Sequence, residues 1–453
     1  MTLAQAAVVA GGELHGADIP FDDVCTDSRV AKSGDLFIAL RGERYDGHDF
    51  VAQAAAAGAV AALVDHAHAG LPLPGLPTAA VGDTTVALGA LAAHWRRQFA
   101  LPLIAVVGSN GKTTVKEMIA ACLREHFGDA AVLATRGNLN NQIGVPLTLL
   151  ALRVAHRAAV VEIGMNHPGE TTQLAALAAP TIAVVNNAQR EHQEFMRSVA
   201  DVAAEHAALV RALPAAGVAV INADDAHAGV WRDAAGARTV RDFGLQTGAV
   251  RAQSRMLAAS AQLEVTTPEA SAAFVLPLAG EHSVRNALAA IAAATAAGAP
   301  LAACARALAR FVAVRGRLQV KAGLRGATLI DDTYNANPDS VRAAIDVLAR
   351  MPGHRLLVLG DMGEVGAQGI AFHKEVGTYA RAAGIERLYG LGDLVVEAVR
   401  AFGAGARHYA RIEDLLADVE NALGPQTALL VKGSRFMQME RVVRSFEVST
   451  AGT

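Results

Sequence analysis

At 453 residues the chain is too long for one hydrophobic core, and its length points to about three domains. Lys and Arg total 40 against 43 Asp and Glu, a net charge of −3. That leaves no basic footprint for nucleic acid, so any phosphate ligand must be gripped by local sites. Three scattered cysteines, Cys25, Cys122 and Cys304, with no CxxC pairing, point to reduced thiols and away from a disulfide scaffold or a zinc site.

The start, Met1-Thr-Leu-Ala-Gln, lacks the basic region of a signal peptide. The longest uncharged run, Ala287 to Ala305, approaches the ~20 residues that span a bilayer. It is mostly alanine, however, and Gly298-Ala-Pro300 breaks it, which predicts two packed helices of a soluble domain. The expectation is a cytoplasmic α/β enzyme with no membrane insertion.

The first stretch, to about residue 83, predicts short strands at Asp35–Leu40 and Ala59–Val64, with a helix from His48 to Ala57 between them. Ahead of these lies Thr26-Asp-Ser-Arg29. It reads either as an Asx/ST turn with a surface arginine, or as a grip on a diphosphate or carboxylate. Pro72, Pro74 and Pro77, interleaved with Gly70 and Gly75, mark a connection.

From about residue 84 to 314, strands and helices alternate, the pattern of a mainly parallel, doubly wound sheet. Strands are predicted at Leu103–Val107, Ala131–Ala134, Ala158–Ile163, Thr181–Val185 and Gly217–Ile221. Ligands of such sheets collect beyond the carboxyl ends of the strands, so the chemistry belongs just after each apolar run.

After the first run comes Gly108-Ser-Asn-Gly-Lys-Thr-Thr114, opening a helix. A buried strand, a glycine turn and a helix N-terminus form an anion site, with free amides and the positive end of the helix dipole converging on phosphate oxygens. Lys112 adds an ammonium for the terminal phosphates and Thr113 a hydroxyl for magnesium. Only two residues separate Gly108 from Gly111, where the general phosphate-loop pattern has four.

After the second run, Thr135 to Pro146 carries Asn138, Asn140, Asn141 and Gln142. Such a loop either folds on its own amides or hydrogen-bonds an amide-rich ligand. After the third comes Glu162, a carboxylate at the end of a buried strand, costly there unless paired or bound to metal. After the fourth, Asn186-Asn-Ala-Gln-Arg-Glu-His192 puts His192 on the rim shared by Lys112 and Glu162, as a metal or substrate contact. Weak β signals from Val240 to Leu276 suggest an antiparallel edge or flap. A helix then opens near Gly280, with His282, Arg285 and Asn286 at its start, and Arg315-Gly-Arg317 closes the domain.

The last ~135 residues repeat the βα alternation, so a third, Rossmann-like domain is expected over residues 315–453. Its strands are predicted at Thr328–Asp331, Arg355–Leu359, Arg387–Tyr389 and Ala428–Val431. The rim clusters are Asp331-Asp-Thr-Tyr-Asn-Ala-Asn-Pro338, Gly360-Asp-Met-Gly-Glu364 and Lys432-Gly-Ser-Arg435. No dinucleotide fingerprint follows a strand, so this domain reads as a cap that closes over the central site.

These motifs together resemble the Mur ligase family of peptidoglycan synthesis, whose nucleotide loop has this shortened Gly-x-x-Gly-Lys-Thr form. The resemblance covers essentially the whole chain. Tyr334-Asn-Ala-Asn-Pro338 is similar to the member that adds D-alanyl-D-alanine to UDP-N-acetylmuramoyl-tripeptide. It implies three α/β domains: residues 1–83 for the UDP-sugar, 84–314 for ATP and magnesium, and 315–453 for the incoming dipeptide and closure. It implies an acyl-phosphate mechanism in a cytoplasmic monomer with no nucleic-acid partner. Ser28 and Arg29, with Asn138, Asn140 and Asn141, would face the UDP-sugar peptide. Gly108 to Thr114, His282, Asn286, Arg317 and Asp332 would face ATP, and Tyr334, Asn335 and Asn337 the dipeptide. Lys112, Glu162 and His192 would carry the reaction, with Thr113, Glu162 and His192 on the metal.

One departure stands out. The family usually carries a lysine fourteen residues after the metal-site histidine, whose carbamate helps hold a second magnesium, and here that position is His206. The chain is therefore expected to lack the carbamate. His206 or Glu205 would partly replace it, or Glu162 and His192 would hold the metal. The base for the amine is open among His192, Asp331 and Asp332. The alternatives are a sibling adding diaminopimelate or lysine to the dipeptide precursor, a folate-polyglutamate ligase, and a non-catalytic nucleotide-binding scaffold.

Overall fold

Each of the apolar runs that end in a polar cluster forms a strand, and the strands assemble into three separate sheets. The structure, a computed structural model, describes residues 1–69, 76–191 and 193–448. His192 lies outside the described residues, as does the Gly70–Gly75 part of the proline-rich connection.

The N-terminal sheet contains β1 (Glu13–His15), β2 (Asp23–Cys25), β3 (Asp35–Ile38), β4 (Ala61–Asp65) and β5 (Thr78–Val81). Their order is β1-β5-β4-β3-β2, parallel except for β1 on β5. The helix expected from His48 instead starts as a single 3₁₀ turn, Gly47–Phe50, before Val51–Ala57. Asp46 explains the tighter turn: its side chain caps the His48 amide.

The central sheet contains β6 (Leu103–Val107), β7 (Val132–Ala134), β8 (Ala158–Glu162), β9 (Ile182–Val185), β10 (Val218–Asn222), β11 (Thr239–Gly244), β12 (Val250–Met256), β13 (Ala261–Thr266) and β14 (Ser271–Leu276). The order is β14-β13-β12-β11-β10-β9-β6-β8-β7, and only the β12–β13 and β13–β14 pairs are antiparallel. The expected edge is thus the end of one nine-stranded sheet. In β6, Leu103, Ala105 and Val107 enter one core cluster while Ile104 and Val106 enter another, the period of two expected of a strand buried on both faces. Each buried aliphatic side chain of this kind stabilises by about 1.5–3 kcal/mol. The alanine run resolves into helices Glu281–Ala296 and Leu301–Ala309, both packed on helix Lys112–Phe127. Among the described residues, no helix is long and apolar enough to cross a membrane.

The third sheet contains β15 (Gln319–Ala322), β16 (Thr328–Asp332), β17 (His354–Gly360), β18 (Arg387–Leu391), β19 (Ala406–Tyr409) and β20 (Thr427–Lys432). Its order is β15-β16-β20-β17-β18-β19, parallel except for β15 on β16. The sequence reading missed β15 and β19, which are short edge strands with exposed positions.

The two junctions differ in kind. The N-terminal and central sheets share one apolar core, in which Leu3, Leu36, Leu63 and Val81 join Leu88, Leu103, Val145 and Leu149. The central and C-terminal sheets meet largely through polar side chains around a cavity of about 920 Å³.

Candidate active site

The cavity opens at the carboxyl end of β6, where β8 and β9 flank it on opposite sides, the switch point at which such sheets hold ligands. Gly108 and Gly111 take positive φ angles, +149° and +83°. At Gly111 a Cβ would lie 2.6 Å from Asn286 Oδ1 and 2.8 Å from Asn186 Nδ2, so both conformation and space require glycine.

The β9 rim holds the loop. Ser109 N donates to Asn187 O (3.1 Å) and Asn110 N to Asn187 Oδ1 (2.8 Å). Asn186 Nδ2 donates to Asn110 O (2.8 Å) and to Asn286 Oδ1 (3.0 Å). These bonds occupy the first two loop amides. The amides from Gly111 to Thr114, at the start of helix Lys112–Phe127, remain for a ligand, because the first turn of a helix has no internal acceptors. Thr114 lines the cavity with them.

Beneath the loop, the Thr113 hydroxyl donates to Glu162 Oε2 (2.8 Å) and accepts from Arg317 (2.9 Å). Asn140 Nδ2 donates to Glu162 Oε1 (2.8 Å), and the Thr135 hydroxyl accepts from Glu162 N (3.0 Å). A buried carboxylate beside a hydroxyl at the mouth of an anion site is a set of hard oxygen donors, which fits magnesium. Lys112 bonds Gly108 O and pairs with Glu191 at 3.2 Å. Asn138 and Asn141 both line the cavity, and Asn141 Oδ1 also accepts from the amides of Ile143 (3.2 Å) and Gly144 (2.9 Å) at the start of helix Gly144–Leu150.

The C-terminal domain supplies the opposite wall. Arg317 stacks over Tyr334 with its guanidinium carbon 4.2 Å from the ring centre. Asn337 caps helix Pro338–Ala349 and forms an amide pair with Asn110 across the domains (2.9 Å). Asp332 pairs with Lys432 (2.6 Å), and Asn335 turns its carbonyl to the same lysine (2.8 Å). His282 sits at the start of helix Glu281–Ala296, near Asp332 and Lys432. Burial holds its imidazole down to about 4, so it is neutral at pH 7. Arg190 clamps the domains together through Asp339 (2.6 Å) and Glu375 (2.7 Å). The hydrogen bonds it donates to Glu375 and Asp339 raise its pKa above the ordinary arginine value.

Several sequence expectations need correction. Asp331 is no base for the amine: it is buried on the far face of β16, accepting from the Thr333 hydroxyl (2.7 Å) and pairing with Lys321 (3.2 Å). Neighbouring strand residues point to opposite faces, so only Asp332 of the pair reaches the cavity. Glu205 does not face the phosphate loop either; it accepts from the amides of Gly169 (3.0 Å) and Thr171 (2.8 Å), at the start of the preceding helix, Glu170–Ala178. His206 is buried, 3.6 Å from Glu191. Ser28 and Arg29 lie off the cavity. Ser28 bonds Gln53 (3.0 Å), and Arg29 folds back on Asp27 (2.7 Å) in the Asx-turn arrangement that was one of the two readings.

Three residues escaped the sequence reading. Arg190 and Glu191 lie inside the Asn186–His192 cluster, where the histidine is the stronger metal-ligand signal. Lys432 lies in the rim cluster Lys432-Gly-Ser-Arg435, and its partner, Asp332, is a hundred residues away.

Family profiles match in three successive segments: the Mur ligase family catalytic domain over residues 21–124, the Mur ligase middle domain over 106–294, and the Mur ligase glutamate ligase domain over 316–435. The UDP-N-acetylmuramoyl-tripeptide–D-alanyl-D-alanine ligase of Escherichia coli (strain K12) is 42% identical, over 99% of this chain and 98% of its own. The chain belongs to the Mur ligase family. The Haemophilus influenzae ligase of the same name is 36% identical over 99% of this chain and 98% of its own. Among solved structures, MurF from Acinetobacter baumannii superposes with a TM-score of 0.90 at 35% identity, covering 98% of each chain. The Mur ligase architecture of three α/β domains is thus present from end to end.

Proposed function

We propose that this Mur ligase joins D-alanyl-D-alanine to UDP-N-acetylmuramoyl-tripeptide at the expense of ATP, giving the pentapeptide precursor, ADP and phosphate. The observation that carries the reading is the facing of two half-sites across one cavity: the phosphate loop with Thr113 and Glu162 on one wall, and Tyr334 to Asn337 on the other. Full-length identity to ligases of that name supports the choice of substrates. On this reading residues 1–83 take the UDP-sugar, 84–314 ATP and 315–453 the dipeptide, in a cytoplasmic monomer.

A carboxylate is a poor acceptor because its oxygen is a poor leaving group. Phosphorylation of that oxygen by the terminal phosphoryl group of ATP makes phosphate the leaving group, and the dipeptide amine then attacks the carbonyl carbon. Phosphoryl transfer is mostly positioning and charge neutralisation. Gly108 to Thr114 cradle the phosphates, and Lys112 swings from Glu191 onto the terminal oxygens. Thr113 and Glu162, with His192, would hold magnesium, whose charge lowers the repulsion between carboxylate and phosphate. His282 and Asn286 line the nucleotide side; a neutral imidazole there offers a hydrogen bond and adds no charge. Arg317, fixed between Thr113 and Tyr334, ties the two walls together. Tyr334, Asn335 and Asn337 border the dipeptide, whose α-amino group, near pKa ~8, needs little more than desolvation and alignment to attack. Ser28 and Arg29, with Asn138, Asn140 and Asn141, serve the UDP-sugar end; this requires Arg29 to leave Asp27.

Phosphate release tests the reading. It is expected with UDP-N-acetylmuramoyl-tripeptide plus D-alanyl-D-alanine; release with the dipeptide precursor plus free diaminopimelate instead would assign the sibling activity. Lys112→Ala is expected to lower kcat by at least about 10³-fold, as for loss of a main charge-stabilising group.

A further inference from the structure

Glu162 owes its place at the phosphate loop to more than the two side chains that touch its carboxylate. Its backbone amide donates to the Thr135 hydroxyl (3.0 Å), and Thr135 N donates to Val160 O (3.0 Å), so the residue after β7 is stapled to the end of β8. The Thr135 carbonyl is held in turn by Lys116, whose Nζ donates to it at 2.7 Å. Lys116 is 0% exposed, and its ammonium is paired with Glu117 beside it, a carboxylate about a third exposed. Lys116 sits on helix Lys112–Phe127 three residues after Thr113, the spacing that puts two side chains on one helix face. The helix that opens from the phosphate loop thus holds Glu162 twice: through Thr113 at the carboxylate, and through Lys116 and Thr135 at the backbone. The same anchor roots the loop that brings Asn138 and Asn140 to the cavity, and Gly164 N fixes the other end of that loop on Asn140 O (2.8 Å). Packing alone does not call for a cation here. An apolar chain of similar length would fill the space without the cost of desolvating an ammonium. What the ammonium adds is a strong, directional bond to one carbonyl, and that carbonyl belongs to the residue that holds the Glu162 amide.

We propose that Lys116 is a positioning residue for phosphoryl transfer: by fixing the Thr135 carbonyl it sets where Glu162 and Asn140 stand relative to the phosphate loop. It does not line the cavity, and it acts only through Thr135. The proposal rests on the reading of the loop as a nucleotide site with Glu162 as a magnesium-facing carboxylate. A purely structural Lys116 would instead tie the edge strand β7 to the helix, and its loss would loosen the phosphate loop as a whole. The two roles part at the metal. Misplacing Glu162 spoils what magnesium adds to nucleotide binding, and leaves intact the loop amides that bind phosphate without it.

The test is calorimetric binding of a non-hydrolysable ATP analogue to the full-length protein, in EDTA and in Mg²⁺, alongside steady-state kinetics and thermal unfolding. Lys116→Met should bind the analogue in EDTA as the wild type does, while the affinity gained from Mg²⁺ shrinks several-fold and kcat falls about 10–100-fold. The KM for D-alanyl-D-alanine should stay within about twofold, because the opposite wall is built by Tyr334 to Asn337. Thr135→Val, which removes the acceptor for the Glu162 amide, should shift the same two readings, and the double variant should be no worse than Lys116→Met alone. Lys116→Gln keeps a donor for the Thr135 carbonyl and should recover part of both. If Lys116→Met does not fold, Lys116→Gln and Thr135→Val carry the same readouts. Equal loss of affinity with and without Mg²⁺, additive effects in the double variant, or folded variants with wild-type kcat and Mg²⁺ gain would each overturn the proposal. A wild type with no Mg²⁺ gain would overturn the metal reading and the proposal with it. A wild type that shows the gain but releases no phosphate with the tripeptide and D-alanyl-D-alanine would overturn the choice of substrates alone.

Discussion

The central domain is joined to its two neighbours in opposite ways. Toward the N-terminus it shares one continuous apolar core, with Leu36 and Leu63 of the first sheet packed in the same cluster as Leu88, Leu103 and Leu149. Toward the C-terminus it meets its partner through amides and charges: Asn110 with Asn337, Arg317 with Thr113, and Arg190 with Asp339 and Glu375. Apolar burial is non-directional and must be torn open as a unit, whereas hydrogen bonds and ion pairs can be exchanged for water one at a time. The C-terminal junction is therefore the one that can part without opening a core, and the N-terminal one is not.

Breaking the apolar junction should have the largest effect. Leu88 is fully buried in the shared core, so Leu88→Ala is expected to cost about 2–5 kcal/mol of global stability, read from denaturant unfolding. An unchanged midpoint would show that the two domains do not fold as one unit. Arg190→Ala should do the reverse. It removes a clamp whose side chains are about a fifth to a third exposed, so global stability should move by about 1 kcal/mol or less. The KM for the dipeptide should rise about tenfold as the closed arrangement becomes less populated, which steady-state kinetics and small-angle scattering would show together.

The same clamp gives a pH dependence. Hydrogen bonding from Arg190 holds the Glu375 carboxyl below its ordinary value of 4.5. A depressed carboxylate stabilises the docked state fully above about pH 4.5, and that contribution is lost as pH falls through the lowered value. The closed fraction seen by scattering should therefore drop on acidification below pH 4.5, and less steeply in Glu375→Gln. A smaller effect is expected from Arg29→Ala. Its exposed ion pair with Asp27 is worth little to the fold, so stability should hold while the KM for the UDP-sugar rises a few-fold.

The sequence revealed the strands because each is a short apolar run ending in a polar cluster, and β6, β8 and β9 carry their clusters to one rim. It also revealed the phosphate loop, through Gly108, Gly111 and Lys112, and the buried acid Glu162. What it could not reveal were pairings set by the docking of distant segments. Lys432 meets Asp332 only because β20 inserts beside β16. Arg190 is an ordinary rim arginine until the third sheet brings Asp339 and Glu375 to it. The choice between Asp331 and Asp332 was within reach, since two successive strand residues cannot share a face. The Asx turn at Asp27 to Arg29 was one of two readings because local hydrogen bonding and ligand binding call for the same residue types there.

The contact between Gly111 and Asn286 limits how this protein can change over generations. Any side chain at position 111 would have to displace the amide pair of Asn186 and Asn286, and with it both the end of β9 and the start of helix Glu281–Ala296. Three segments far apart in the gene are thereby locked into a single inherited unit. At this joint a viable change has to arrive in several places at once, so position 111 should drift slowly.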